Sequence, residues 1–307
     1  MAFIVAFNQV LIIFFLMAIG FLAGKLRFIR EDSAKDMTLI LCYIVSPCVI
    51  IKAFQQPFST HELNNLFIAL ACAAIIHIFS VLAGKIAFNK RMVKDSTHRK
   101  VLQFGSVYSN AGFMGLPLAN AIFGTRGIFF AAAYLAVFNI FCWTHGLTLY
   151  KGNFSKKELL NILINPNIIA LIIGLFFFVY SIELPSLLAT GITYVYDLNT
   201  PLSMLVIGSN ISHIKFNTLI NDKWIWPGIL MRNLAIPGIM LLLFHWVTID
   251  PTALMALILM TACPVAAYSV IFAQMTDLDT AFATKLMAAS TLLSVVTIPI
   301  VAYLASL

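Results

Sequence analysis

Polar punctuation divides this chain into ten apolar runs, at about 3–24, 37–54, 65–88, 101–122, 127–150, 167–184, 187–209, 226–247, 252–275 and 281–305. Each is close to the roughly 20 residues that carry an α-helix across a hydrocarbon layer about 30 Å thick. The pattern predicts an all-α membrane protein with ten transmembrane helices. No gap holds a soluble domain, and the longest, 151–166, has room for at most a short surface helix. The first run has no basic residue before it and no small-residue cleavage site, so it reads as a retained span and not a signal peptide.

Composition agrees. The 307 residues are 61% hydrophobic and only 10% charged, with a mean hydropathy of +0.97. Soluble domains carry roughly 25% charged residues, and a chain this poor in charge cannot cover a water-facing surface. The net charge of +7 does not imply nucleic acid, because the basic residues sit in short gaps and form no basic face. Their distribution sets an orientation instead. With the N-terminus outside, the gaps on the cytoplasmic side hold sixteen of the nineteen Lys and Arg, among them Lys35, Lys94, Lys156, Lys157 and Lys215. That is the positive-inside pattern, and it places both termini outside the cell (inner or plasma) membrane. The five cysteines, Cys42, Cys48, Cys72, Cys142 and Cys263, all fall inside apolar runs without ligand-like spacing. No disulfide framework, metal site or cofactor is expected.

Ten spans divide into five and five, with the seam in the 151–166 gap. Residues 1–150 then form a first five-helix repeat and 151–307 a second. Five is odd, so the second repeat enters the membrane inverted, the plan of many secondary transporters, with a site at the midplane between the halves. The fourth and ninth spans carry the strongest local signals. In Ser109-Asn110-Ala111-Gly112-Phe113-Met114-Gly115-Leu116-Pro117, two glycines and a proline weaken a helix in mid-span. Such a break is tolerated in lipid only when buried in protein or lining a wet cavity. Thr261-Ala262-Cys263-Pro264-Val265-Ala266-Ala267-Tyr268 occupies the equivalent place in the second half. Two half-helix N-termini near Phe113 and Val265 would face the membrane centre, each with free N–H groups and about half a positive charge, which favours an anion. The expected substrate-binding residues are Asn110, Gly112, Phe113, Gly115, Pro117, Cys263, Pro264, Val265 and Ala266, with Asn139 of the fifth span.

The Asn-Ala-Gly-Phe-Met-Gly-Leu-Pro run, the Cys-Pro-Val-Ala-Ala run and the closing Ser290–Pro299 segment resemble the auxin efflux carrier family, which includes plant PIN carriers and bacterial permeases for malate and malonate. The resemblance covers about residues 5–305. It implies a fold similar to bile acid sodium symporters, with the fourth and ninth spans crossing at Pro117 and Pro264. It further implies a scaffold of spans 1, 2, 6 and 7, a transport core of spans 3–5 and 8–10, elevator-like motion and a homodimer. The substrate implied is a small organic anion. The long central loop of PIN carriers is absent here. Cys263–Tyr268 lacks the acidic and amide side chains that sodium-dependent relatives use, which favours proton coupling or uniport over sodium coupling.

Ionisable residues inside spans are costly and therefore candidates for function. Asp197, near the middle of the seventh span, is either a proton-carrying or charge-pairing group or a wet residue of a longer outer loop. Arg232 reads as a snorkelling side chain near an interface before an anion attractor, and Lys52 likewise. His77 and His145 read as neutral, hydrogen-bonded histidines before proton shuttles. Asn139 either donates to substrate or joins helices. An intramembrane enzyme is not supported: there is no second deep carboxylate beside Asp197 and no GxSxG motif. A channel or a non-transporting receptor shares the topology. A cysteine placed at Lys94 should resist a membrane-impermeant thiol reagent in intact cells, and labelling there would reverse the orientation.

Overall fold

The structure, a computed structural model, describes residues 2–153, 164–213, 222–244 and 246–305, with side chains from Phe7 onward. The short surface helix allowed for in the 151–166 gap, and Lys156, Lys157 and Lys215, lie outside the described residues. Among the described residues the regular elements are helical. Six stretches are long and apolar enough to cross a membrane: Phe7–Lys25, Glu31–Ala53, Thr60–Ala87, Ala111–Lys151, Ile225–Phe244 and Ala281–Ala305. Pro166–Val179 and Pro251–Ala262 are shorter and also apolar.

Helix α1 is Ala2–Lys25; α2 (Glu31–Ile40) passes through a wide π-helical turn at Leu41–Val45 into α3 (Ser46–Ala53); α4 is Thr60–Ala87. Helix α5 (Ser96–Val107) stops, and the chain resumes through a π-turn at Ala111–Gly115 into α6 (Leu116–Phe141). Gly124, at φ 61° and ψ −151°, turns the chain sharply inside α6, a conformation that glycine adopts without a Cβ penalty. A third π-turn, Cys142–Gly146, leads to α7 (Leu147–Lys151). Then come α8 (Pro166–Val179), α9 (Ser186–Asp197) and α10 (Asn199–Ser212). The chain continues with α11 (Ile225–Ile229), a π-turn at Leu230–Ala235, α12 (Ile236–Phe244), α13 (Pro251–Ala262), α14 (Tyr268–Met275) and α15 (Ala281–Ala305). Side chains in the polar gaps cap the helices that follow. Asp95 accepts from His98 N (2.7 Å), Asn165 from Asn167 N (2.9 Å) and Asp250 from Thr252 N (2.8 Å), so orphan N–H groups are met where the chain enters the apolar layer.

Helix α1 packs along α10, and α3 against α8 and α9; elsewhere α13 packs against α6 and α15, and α4 against α5 and α6. The α1–α10 seam depends on small residues. A Cβ on Gly208 would run into the Met17 carbonyl, and one on Gly20 into the Leu205 backbone, the close backbone approach that drives helix association in membranes. The two ends of the second packed set carry ionic clusters. At one, Arg126 bonds Glu62 (2.6 Å) and Asp250 (2.9 Å), joining α4, α6 and the start of α13. At the other, His98 lies between Asp95 and Asp222, both at 2.8 Å, and stacks on Phe282 with ring centroids 4.0 Å apart.

Gly208→Leu should lower the melting temperature, since overpacking costs about 1–3 kcal/mol. Gly191→Leu, at a glycine with open space around it, should not, and equal effects would refute the seam. Burial alone would lower the His98 pKa, but Asp222 and Asp95 outweigh it and raise it from 6.5. A raised folded pKa gives stability that is full below about 6.5 and is lost as pH climbs through the folded value. Melting temperature should therefore fall as pH rises from 6 to above neutrality, and His98→Gln should flatten that slope.

Candidate functional site

Two interrupted helices meet at the heart of the bundle. The backbone leaves the helix at Tyr108–Asn110 and again at Cys263–Ala267, and the two extended pieces pair as an antiparallel bridge between Ser109 and Val265. Asn110 N donates to Pro264 O at 2.6 Å and Ala266 N to Tyr108 O at 2.9 Å. Each break thus supplies partners for peptide groups the other has freed, as an interior without water requires. The Ser290 hydroxyl accepts from Val265 N (3.0 Å) and donates to Asn233 Oδ1 (2.7 Å).

The sequence predicted the first break at Gly112–Pro117; it lies earlier, at Tyr108–Asn110. The proline does not end the helix, because the π-turn at Ala111–Gly115 widens the preceding turn and makes room for the Pro117 ring. The interruption falls instead where the chain pairs with Pro264 and Val265.

Arg232 does not snorkel. It is fully buried, and its guanidinium donates to Ser106 O (3.1 Å), Val107 O (3.0 Å) and Thr261 O. These carbonyls belong to the last turns of α5 and α13, the ends that lack intrahelical donors. Each C-terminus carries about half a negative charge, so the two together match one guanidinium. That match holds at membrane depth a cation that would otherwise cost several kcal/mol.

The opposite ends of the breaks open onto a cavity of about 400 Å³. Asn110, Gly112 and Phe113 line it from the first N-terminus, and Ala266, Ala267 and Tyr268 from the second. Asn139 and Trp143 face it from the fifth span, Thr38, Cys42 and Tyr43 from the second, and Asn165 and Asn167 from the start of α8. Among the described residues that line it there is no Lys, Arg, His, Asp or Glu. The Asn110 side chain has no hydrogen-bond partner among the described residues, whereas Asn139 Nδ2 donates to Leu135 O (2.8 Å) and Asn139 Oδ1 accepts from Asn165 Nδ2 (3.5 Å). Trp143 Nε1 and Asn167 Oδ1 are buried without partners among the described residues.

Five of the expected contact residues thus share the cavity wall: Asn110, Gly112, Phe113, Asn139 and Ala266. The other five lie behind it. Gly115 packs on Met260, Pro117 and Pro264 are buried, the Cys263 thiol donates to Leu259 O (3.3 Å), and Val265 N is taken by Ser290. Asp197 is exposed at the end of α9, away from both the cavity and Arg232. Neighbouring Tyr196 carries the Lys52 ammonium 4.1 Å over its ring. His77 is buried and bonded to Ala73 O (2.7 Å). His145 bonds the Tyr108 hydroxyl (2.9 Å) beside a second cavity of about 600 Å³ that also takes in Lys85 and Gln103. No cluster of three or more His, Cys, Asp or Glu suited to a metal occurs among the described residues. The contributions of Thr38, Tyr43, Trp143, Asn165 and Tyr268 were missed from sequence. Only Asn165-Pro166, a capping residue followed by a proline, marked a helix start there.

A bundle of apolar helices with two broken helices paired above an internal cavity defines a membrane transport protein. Comparison with known proteins agrees. A family model described as membrane transport protein matches residues 5–158 and 152–302, and the chain belongs to that family, the auxin efflux carriers that its motifs resemble. It is 24% identical over 307 residues to an uncharacterized transporter of Methanothermobacter thermautotrophicus, covering 98% of each chain. It is also 24% identical over 223 residues to one from Methanocaldococcus jannaschii, covering 67% of this chain and 68% of the relative. The protein is thus an integral membrane transporter.

Proposed function

We propose that the protein is a secondary transporter of small organic anions and binds one carboxylate at the crossing. The observation that carries this reading is the unequal treatment of the four half-helix ends. The two C-termini are neutralised by Arg232, while the two N-termini open into a cavity whose described lining residues carry no charged side chain. A bound carboxylate would complete the charge balance. Tyr43, Phe113, Phe138, Trp143 and Tyr268 line the same cavity, which favours a monocarboxylate on an apolar or aromatic body over a dicarboxylate, whose second charge has no cationic partner among the described lining residues.

The transport mechanism is read as follows. Ten spans form two inverted repeats, 1–150 and 151–307. The reading is supported by the mutual pairing of the two breaks and by Asp95 and Asp250 capping the first half-helix of each pair. Spans 1, 2, 6 and 7 act as scaffold, and spans 3–5 and 8–10 move as an elevator-like core. The cavity's extent towards Thr38 and Asn165, at the ends of their helices nearest the basic gaps, fits a state open to the cytoplasm. Transport is proton-coupled or uniport, and two copies associate through the scaffold.

Asn110→Ala removes a neutral donor worth about 0.5–1.5 kcal/mol and should weaken binding roughly three- to tenfold. The measurement is a thermal-shift and radioligand titration of purified protein with aromatic and aliphatic monocarboxylates against malate and malonate. Stabilisation by no carboxylate, or an unchanged affinity in Asn110→Ala, would sink the assignment.

A further inference from the structure

We propose that Arg232 is a built-in counter-cation. Its guanidinium permanently fills the place between the two half-helix C-termini that an alkali cation would otherwise take, and the crossing has no need of sodium or potassium. On the anion reading above, on which this consequence rests, substrate binding then carries no alkali-cation dependence.

The argument starts from the acceptors. Ser106 O, Val107 O and Thr261 O are carbonyls at the ends of α5 and α13, drawn together by the antiparallel pairing of the breaks. In transporters with broken helices, such carbonyl ends are where soluble cations are coordinated. Here the donor arrives covalently, from the π-turn Leu230–Ala235 on a third element. A guanidinium suits the task because its planar fork offers five N–H donors and reaches carbonyls of two helices at once. None of its hydrogen-bond partners among the described residues is a carboxylate. They are the three carbonyls and the Tyr134 hydroxyl, so the compensating charge is that of the two helix ends, about half a unit each.

The neighbouring residue is a neutral amide. Asn233, on the same wide turn, serves the crossing through Ser290, whose hydroxyl accepts from Val265 N. An amide therefore suffices for hydrogen bonding. The charge at 232 has a separate purpose, which the choice of variants can isolate.

The experiment uses the purified full-length protein in a choline chloride buffer, with melting temperature as readout and sodium chloride, potassium chloride or low-millimolar methylguanidinium chloride added. Wild type should melt alike in all four. Arg232→Gly should melt about 10 °C lower and regain part of that loss in a saturable way with methylguanidinium. Arg232→Lys, which keeps the charge, should melt above Arg232→Gln, which keeps a donor without it. Stabilisation of wild type by sodium or potassium over choline overturns the proposal. So does Arg232→Gln matching Arg232→Lys, or Arg232→Gly failing to respond to methylguanidinium. Should Arg232→Gly not accumulate, the Lys and Gln pair decides. None of these readouts needs a substrate. If no carboxylate binds wild type while the rescue succeeds, the anion reading fails and the role of Arg232 stands.

Discussion

A peptide group without a partner is expensive in a hydrocarbon-depth interior, and two helices of this protein are broken there. The cost at the crossing is met in three ways. The extended pieces bond each other through Asn110 N and Ala266 N, Ser290 takes the Val265 N–H, and Arg232 takes the terminal carbonyls of both preceding helices. Remove any one and buried backbone is left unsatisfied, at roughly 1–3 kcal/mol for each group. The rest of the bundle supports this arrangement. The Leu230–Ala235 turn carries Arg232 and Asn233 to the right height, and α15 presents Ser290 to Asn233 and Val265.

The same geometry sorts charge. A broken helix exposes two ends of opposite sign, and crossing a pair of them brings like ends together. At the negative pair the compensating charge is fixed and covalent. At the positive pair no described charged side chain lines the cavity, and Asn110 and Trp143 present side-chain donors there. Because Arg232, Ser290 and Asn233 tie the half-helices to the Leu230–Ala235 turn and α15, both breaks and their supports belong to one packed unit. The Arg126 and His98 clusters close the two ends of that unit.

Prolines shape the cavity wall less directly. Pro47, Pro117 and Pro237 each follow a π-turn by two residues, at Leu41–Val45, Ala111–Gly115 and Leu230–Ala235. A proline ring inside an α-helix clashes with the carbonyl four residues back, and a widened turn relieves that clash without ending the helix. The change of turn also rotates nearby side chains. Cys42, Tyr43, Gly112, Phe113 and Arg232 all lie on such turns. The fourth, Cys142–Gly146, carries Trp143 and has no proline after it; nothing in the structure accounts for its widening.

The membrane class, the apolar segments, the motif resemblance and the existence of breaks in the fourth and ninth spans could all be read from the chain. Each depends on local properties: run length, charge placement, and the effect of Gly and Pro on their own turn. Asn110, Gly112, Phe113 and Ala266 could be named as cavity residues because they sit beside those breaks. What the sequence mislaid was whatever depended on a distant partner. The first break shifted to Tyr108–Asn110 because Pro264 and Val265 pair there, and half of the expected contact residues turned inwards behind the wall. Arg232, six residues beyond Trp226, looked like an interfacial cation. Only the tertiary structure brings two helix C-termini to it from residues more than 100 positions away in one case and 29 in the other, and it is their summed dipole that makes a buried arginine affordable.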